Sequence, residues 1–167
     1  MSVPLFRDRF PLLTNMAPVS MKVNGTIFSC CEAAFQSFKA VVAERPDLVD
    51  KFVGIKGVDA KRLGKTVPLR PYLEVWEEVK VDIMWQLLLI KVQDSSVKQQ
   101  LMSAADDDLF ENNVWKDTFW GVVEQTDGTM VGKNVLGRLW QEVKKVVLLQ
   151  PDASSYDTSL PCPIDEP

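Results

Sequence analysis

Glu32, Phe35, Gln36 and Lys39 stand at positions i, i+3, i+4 and i+7, a spacing that places all four on one face of a helix. That face combines an acid, an amide and an amine beside an aromatic ring. A carboxylate can move protons and a neutral amine can attack a carbon centre, so acid–base or covalent chemistry is open to the set. Spacing alone does not make a site, because an ordinary solvated helix face with one Glu and one Lys satisfies the same pattern.

Composition narrows the chemistry. The chain has no histidine, which removes imidazole as base, as partner of a nucleophile and as metal ligand, and so excludes the usual triads and most zinc hydrolases. Carboxylates, lysines, hydroxyls and thiols remain. Cys30 and Cys31 are adjacent and Cys162 lies near the end; this is neither a disulfide framework nor a paired zinc spacing, and it points to a reducing compartment. No metal and no cofactor are expected. With 19 Lys and Arg against 23 Asp and Glu, the net charge is -4, so no global basic field holds a long nucleic-acid backbone, although a local basic pocket stays open. The first ten residues include Arg7, Asp8 and Arg9 and lack an apolar run of signal-peptide length. No stretch approaches transmembrane length, and the expectation is an intracellular, cytoplasmic protein without membrane association.

A chain of 167 residues with 46% apolar content can bury one sizeable core, so one domain is expected over residues 1–150. Asn24-Gly25 between two short apolar-rich runs over 20–28 predicts a hairpin with a primed turn. Ala34, Phe35, Phe38, Val41 and Val42 recur at helical spacing over 31–44, with Pro46 just beyond. Short helices are expected over 47–53, stopped by Gly54, and from Asp59, read as an N-cap, through Leu63. A long helix over 71–93 carries the stripe Leu73, Trp76, Val79, Ile83, Leu87 and Ile90, widened by Met84, Leu88 and Leu89. Asp94-Ser95 opens a further helix through Met102. Residues 119–123 have β-propensity, Asp127-Gly128 is a turn, and residues 134–149 read as an amphipathic helix. Proline, serine and acidic residues dominate 151–167, which is expected to be a weakly structured tail. The fold class expected is α+β, mostly α: a compact helical domain with a small β-hairpin or sheet near the N-terminus.

Ordered motifs surround the Glu32–Lys39 face. Phe6-Arg7-Asp8-Arg9-Phe10, then Leu13-Thr14-Asn15-Met16, the Asn-Gly hairpin, Cys31-Glu32-Ala33-Ala34-Phe35-Gln36 and Lys39 together resemble the NADAR family, the group that includes YbiA-like proteins. Further along, Ala60-Lys61-Arg62-Leu63-Gly64-Lys65 resembles the family's A-x-R-x-G-R/K segment, and Leu69-Arg70 with Trp76 and Met84 its R-x-x-W and following helix. Asp117-Thr118-Phe119-Trp120-Gly121 resembles its D-x-x-W-G, and Gly132-Lys133-Asn134-Val135-Leu136-Gly137 its G-x-N-x-L-G. Each motif is short, but six in order over one domain length are specific. Two departures stand out: the common S-N-F reads Thr14-Asn15-Met16, and the common S-x-E-H reads Cys30-Cys31-Glu32-Ala33.

The resemblance implies a YbiA-like fold and an N-glycosidase that cleaves between ribose C1 and an exocyclic base amine, with no cofactor. Two substrates are implied: guanine whose amine carries ADP-ribose, in DNA or RNA, and a ribosylaminopyrimidine phosphate of riboflavin biosynthesis. A binding module for ADP-ribose or nucleotides without catalysis is the alternative of another class. Carried onto this chain, Lys39 is the candidate nucleophile through a Schiff base; Glu32 shuttles protons, and Asp117 activates water. A direct attack of water on an oxocarbenium-like centre is the rival mechanism. Candidate substrate-binding residues are Arg7, Asn15, Phe35, Gln36, Trp76, Trp120, Gly121, Asn134 and Gly137. Within that set Trp76 and Trp120 are read as stacking platforms and Phe35 and Trp120 as pocket walls. Arg7, Arg62 and Arg70 are read as phosphate partners, and the opening of the last helix as an anion site.

Overall fold

A computed structural model describes residues 2–165 and 167. In chain order its regular elements are α1 (Phe6–Arg9), β1 (Met21–Val23), β2 (Thr26–Phe28), α2 (Cys31–Val42), α3 (Gly57–Gly64), α4 (Leu73–Lys91), α5 (Ser95–Ser103), β3 (Val123–Glu124), β4 (Met130–Val131) and α6 (Val135–Leu149). Helix predominates, and among the described residues the strands form two small antiparallel pairs, β1-β2 and β3-β4. This is the α+β, mostly helical class expected. The residues group into two compact units, one built from Asn15–Lys91 with Asp157–Pro161, the other from the segments before Asn15, Val92–Tyr156 and the residues after Pro161.

The first of these holds the hairpin and α2, α3 and α4. Asn24 and Gly25 have φ of 50° and 82°, the left-handed pair a type I′ turn requires. The turn fixes the register Met21↔Phe28, Lys22↔Ile27 and Val23↔Thr26, so Met21, Val23 and Phe28 are buried while Ile27 is exposed. Cys30 caps α2, its sulfur accepting from the Ala33 N–H at 3.4 Å. Every residue from Cys31 to Ser37 is buried, against α3 and α4, which both pack on α2. The long α4 buries Trp76, Val81, Met84, Trp85, Leu87, Leu88 and Leu89; of the expected stripe only Trp76 and Leu87, with the widening residues Met84, Leu88 and Leu89, are buried, while Val79, Ile83 and Ile90 are half-buried and Leu73 is exposed, so the buried face is shifted toward Val81 and Trp85.

Two local expectations are corrected here. Residues Pro46–Phe52 form a 3₁₀ helix rather than an α-helix. Asp59 is not the cap of α3: the helix begins at Gly57 after Lys56, and no side chain caps it. In the first turn, however, its charge favours the helix dipole.

In the other unit, α6 buries Leu136, Leu139, Trp140, Val143 and Val147. The Trp140 Nε1–H donates to the Leu13 carbonyl at 3.0 Å, which satisfies the one polar group of an otherwise apolar ring. Asp94 caps α5 as expected, with Oδ1 accepting from Ser96 and Val97. The β-prone stretch yields a strand only from Val123, paired through Val123↔Val131. Over residues 150–165 the chain forms turns and bends. It is nonetheless anchored at Tyr156, 5% exposed, with the Lys98 ammonium 5.0 Å from its ring centroid.

Candidate active site

Glu32 and Gln36 lie one turn apart on α2 and are 7% and 5% exposed. The Gln36 Nε2–H donates to Glu32 Oε1 at 2.8 Å, and the Glu32 N–H donates to the Asn15 carbonyl at 2.9 Å. The first bond orients the buried carboxylate and the second ties its backbone to the Asn15 turn. Gln36 turns its Oε1 the other way, where it is buried with no hydrogen-bond partner among the described residues; Asn15 Oδ1 is in the same condition. Orphaned buried acceptors cost stability unless a ligand or solvent donor meets them. Two such acceptors beside one buried acid mark a place where donors are expected.

Gly64, at the end of α3, makes room for this amide: a Cβ there would overlap Gln36 Oε1. A Cβ at Gly57, at the start of α3, would likewise crowd the Met16 sulfur at 2.5 Å, with Glu32 Cβ within van der Waals range of the same point. Both glycines let α3 approach the Glu32–Gln36 face, and neither figured among the sequence candidates.

Lys39, one further turn along α2, is half-buried. Its Nζ is 5.7 Å from the Trp76 ring centroid, and Phe35 lies against the same ring at 5.1 Å and 51°. Trp76 is 5% exposed, too little for a base to stack on, so the platform role read from the sequence is replaced by one of packing beneath the amine. Burial lowers the Lys39 pKa; Glu32 opposes the shift, and the like charges of Lys61, Lys65 and Lys80 add to it. An amine so placed has more of the neutral, nucleophilic form than an ordinary surface lysine.

The Cys31 thiol, next to Glu32, is not a competitor for this chemistry. Burial pushes the Cys31 thiol up to about 12, with Lys91 pulling the other way and Glu32 and Cys30 adding to the rise, so it stays protonated. Lys91, 1% exposed, was not singled out in the sequence. Its signal was there: it follows Met84, Leu87 and Leu88 at i+7, i+4 and i+3 on the α4 stripe, a position that predicts burial.

Apart from Arg62 and Arg70, the remaining sequence candidates belong to the other unit. Asp117 Oδ1 accepts from the N–H groups of Phe119 and Trp120, both at 2.9 Å, the geometry of a turn-capping residue. Trp120 is half-buried, edge-on to Phe119 at 5.0 Å and 88°. Asn134, at φ 52°, accepts from the Glu111 N–H at 2.9 Å and donates to the Leu109 carbonyl at 3.0 Å. A Cβ at Gly121 or Gly137 would overlap the carbonyls of Glu111 and Leu109 respectively. The expected anion site at the opening of α6 is corrected: the N–H groups of Val135 and Leu136 donate to the carbonyls of Phe119 and Trp120 at 3.1 and 2.9 Å. Those donors are spent on the fold. Arg7 sits 5.3 Å from the Trp115 ring centroid, while in the first unit Arg62 is exposed and pairs with Asp59 at 3.4 Å and Arg70 is exposed. Among the described residues no group of three or more metal-ligating side chains converges, and no helix is long and apolar enough to cross a membrane.

This helical α+β chain, with an acid and an amide buried and an amine half-buried on α2, is matched by the NADAR domain family. That family matches residues 6–148, and the chain belongs to it. The family is associated with N-glycosidase activity. Among solved structures, the chain is similar to the NMR structure of the E. coli protein YbiA, with 25% identity, a TM-score of 0.69, and coverage of 90% of this chain and 86% of that one. No curated protein matches the sequence.

Proposed function

We propose that the protein is an N-glycosidase that hydrolyses the bond between ribose C1 and an exocyclic base amine, and that it removes ADP-ribose from guanine. The observation that carries this reading is the pair on α2: a half-buried amine displaced toward its neutral form, on the same face as a buried, hydrogen-bonded carboxylate. Membership of a family associated with such activity supports it.

The proposed reaction begins when the ribosylamine opens to an imine between C1 and the base nitrogen. Neutral Lys39 Nζ attacks C1 to give a geminal diamine, both protons of Nζ pass in turn to the base nitrogen, and the C1–N bond to the base breaks, releasing guanine with its free amine and leaving C1=Nζ. Water then adds to the new C1=Nζ bond; cleavage of C1–Nζ frees Lys39 and leaves the sugar as its hemiacetal. Glu32 carries the protons between these steps. The unpartnered acceptors Gln36 Oε1 and Asn15 Oδ1 suit sugar hydroxyl or amine donors. The charges of Lys61, Lys65 and Lys80, all felt at Lys39, suit a phosphorylated sugar.

Borohydride added during turnover of ADP-ribosylated guanosine tests this directly. A reduced adduct on Lys39, absent in Lys39→Ala together with activity, is the expected result. Full activity in Lys39→Ala overturns the mechanism, turnover of only a ribosylaminopyrimidine phosphate overturns the choice of guanine, and ADP-ribose binding without turnover of either overturns the enzymatic reading.

A further inference from the structure

A half-open cavity of about 320 Å³ lies between the 3₁₀ helix Pro46–Phe52 and the end of α3 with the residues that follow it. Its volume is at the lower end of the roughly 300–1,000 Å³ of small-molecule pockets, room for one or two rings. Phe52 and Val67, 0% and 8% exposed, form its floor, and the half-buried Leu48 and Leu63 its sides. Local hydrogen bonds hold the walls. The Thr66 hydroxyl and N–H both donate to the Leu63 carbonyl, at 2.7 and 2.9 Å, and the Leu48 N–H donates to the Arg45 carbonyl at 3.0 Å. A cavity fixed in this way is preformed, so a ligand need not order it.

The rim carries charge of one sign. Arg45 and Lys51 line it and are exposed, and no acid among the described residues lines it. Asp47, outside the lining, accepts from Arg45 Nε at 2.8 Å and Nη2 at 2.7 Å, which uses two of the five N–H donors of the guanidinium. The two side chains are 47% and 59% exposed, so the pair is weak and yields readily to a competing anion. Lys51 acts on the same carboxylate: the Arg45 hydrogen bond holds the Asp47 carboxyl below its ordinary value, and the charge of Lys51 adds to the fall. Together Arg45, Lys51 and Asp47 leave one positive charge at the mouth of an apolar cavity.

We propose that this cavity is a second binding site, for a small monocarboxylate with an apolar body of one or two rings, the rings on Phe52 and Val67 and the carboxylate facing Arg45 and Lys51. An apolar cavity with a few polar groups at one side fixes a ligand by its charged end and holds it by its body. The guanidinium fork matches a carboxylate in two parallel hydrogen bonds, as its grip on Asp47 already shows. One carboxylate neutralises the one positive charge left at the rim. Glu32, Gln36 and Lys39 do not line the cavity, so the proposal stands apart from the glycosidase reading.

Titration of the isotope-labelled full chain with 2-naphthoate, followed by amide chemical shifts, tests the site. Saturable shifts centred on residues 45–52 and 63–68 are expected, with a Kd on the order of 1 mM or tighter for a ligand of this size. 2-Naphthalenemethanol, which has the same rings without the charge, binds at least about 2-fold more weakly, and acetate, which has the charge without the rings, gives no saturable shift. Lys51→Gln weakens naphthoate about 2- to 5-fold, the worth of an exposed ion pair, and Asp47→Asn, which releases Arg45, tightens it by a similar factor. Both positions are exposed, so the folded spectrum is retained. Shifts that do not saturate, shifts centred instead on Glu32 and Lys39, equal affinity for the acid and the alcohol, or unchanged affinity in Asp47→Asn overturns the proposal.

Discussion

Replacing Gly64 by Ala places a methyl group where Gln36 Oε1 now lies, and Gln36 is the residue whose amide orients Glu32. The amide cannot move outward freely, because it is buried. Overpacking of this kind costs about 1–3 kcal/mol, and loss of a hydrogen bond to a charged group about 1.5–3 kcal/mol. Against this, Ala is favoured over Gly inside a helix by up to about 1 kcal/mol. The expected net cost is about 3 kcal/mol, or a Tm lowered by about 6–12 °C for a chain of this size. With Gln36→Ala already in place the overlap disappears, since the next neighbour of the added methyl is Gln36 Cβ at an ordinary 3.4 Å. In that background Gly64→Ala becomes neutral or slightly stabilising. The double-mutant cycle, read by thermal unfolding of all four proteins, therefore gives a coupling of about 3 kcal/mol. Additive effects within about 0.5 kcal/mol would show that α3 does not press on the amide, and that Gly64 plays no part in placing Glu32.

The pH dependence follows from Lys39. Because burial lowers its pKa, the ascending limb of the kcat/KM profile has its midpoint below the 10.5 of an unperturbed lysine, and Lys80→Gln, which removes one like charge, shifts that midpoint to higher pH; an unmoved limb would detach Lys39 from it. The same shift fixes the sign for stability: the folded state binds the proton less tightly than the unfolded one, so this contribution improves as pH rises from the lowered value to 10.5 and is least favourable below that window. Asp117 gives a third test. Asp117→Ala, which removes the acceptor for two N–H groups, lowers stability by about 1 kcal/mol, while Asp117→Asn, whose amide oxygen accepts equally, keeps both fold and turnover; loss of kcat in a folded Asp117→Asn would instead make the carboxylate a water-activating base.

Local patterns decided what the sequence could determine by itself. The Asn24-Gly25 turn, the Asp94 cap and the α6 stripe depend on residues within a few positions of one another, so their physics is contained in the string. The same holds for the Glu32–Lys39 face, which is set by the helical repeat alone. Burial and partnership were decided by tertiary packing. The 3.6-residue repeat puts an acid and an amine on one side, but only the approach of α3 through Gly57 and Gly64 encloses Glu32 and Gln36. Lys39 likewise meets Trp76 because α4 packs on α2. Asp117, read from its motif as water-activating, caps N–H groups two and three positions on, a local pattern, whereas Asn134, read as substrate-binding, is drawn into backbone hydrogen bonds that span 23 and 25 positions. Periodicity carries no information at such separations; folding brought those groups within reach, and an unpaired buried N–H or carbonyl takes whichever polar side chain the fold presents.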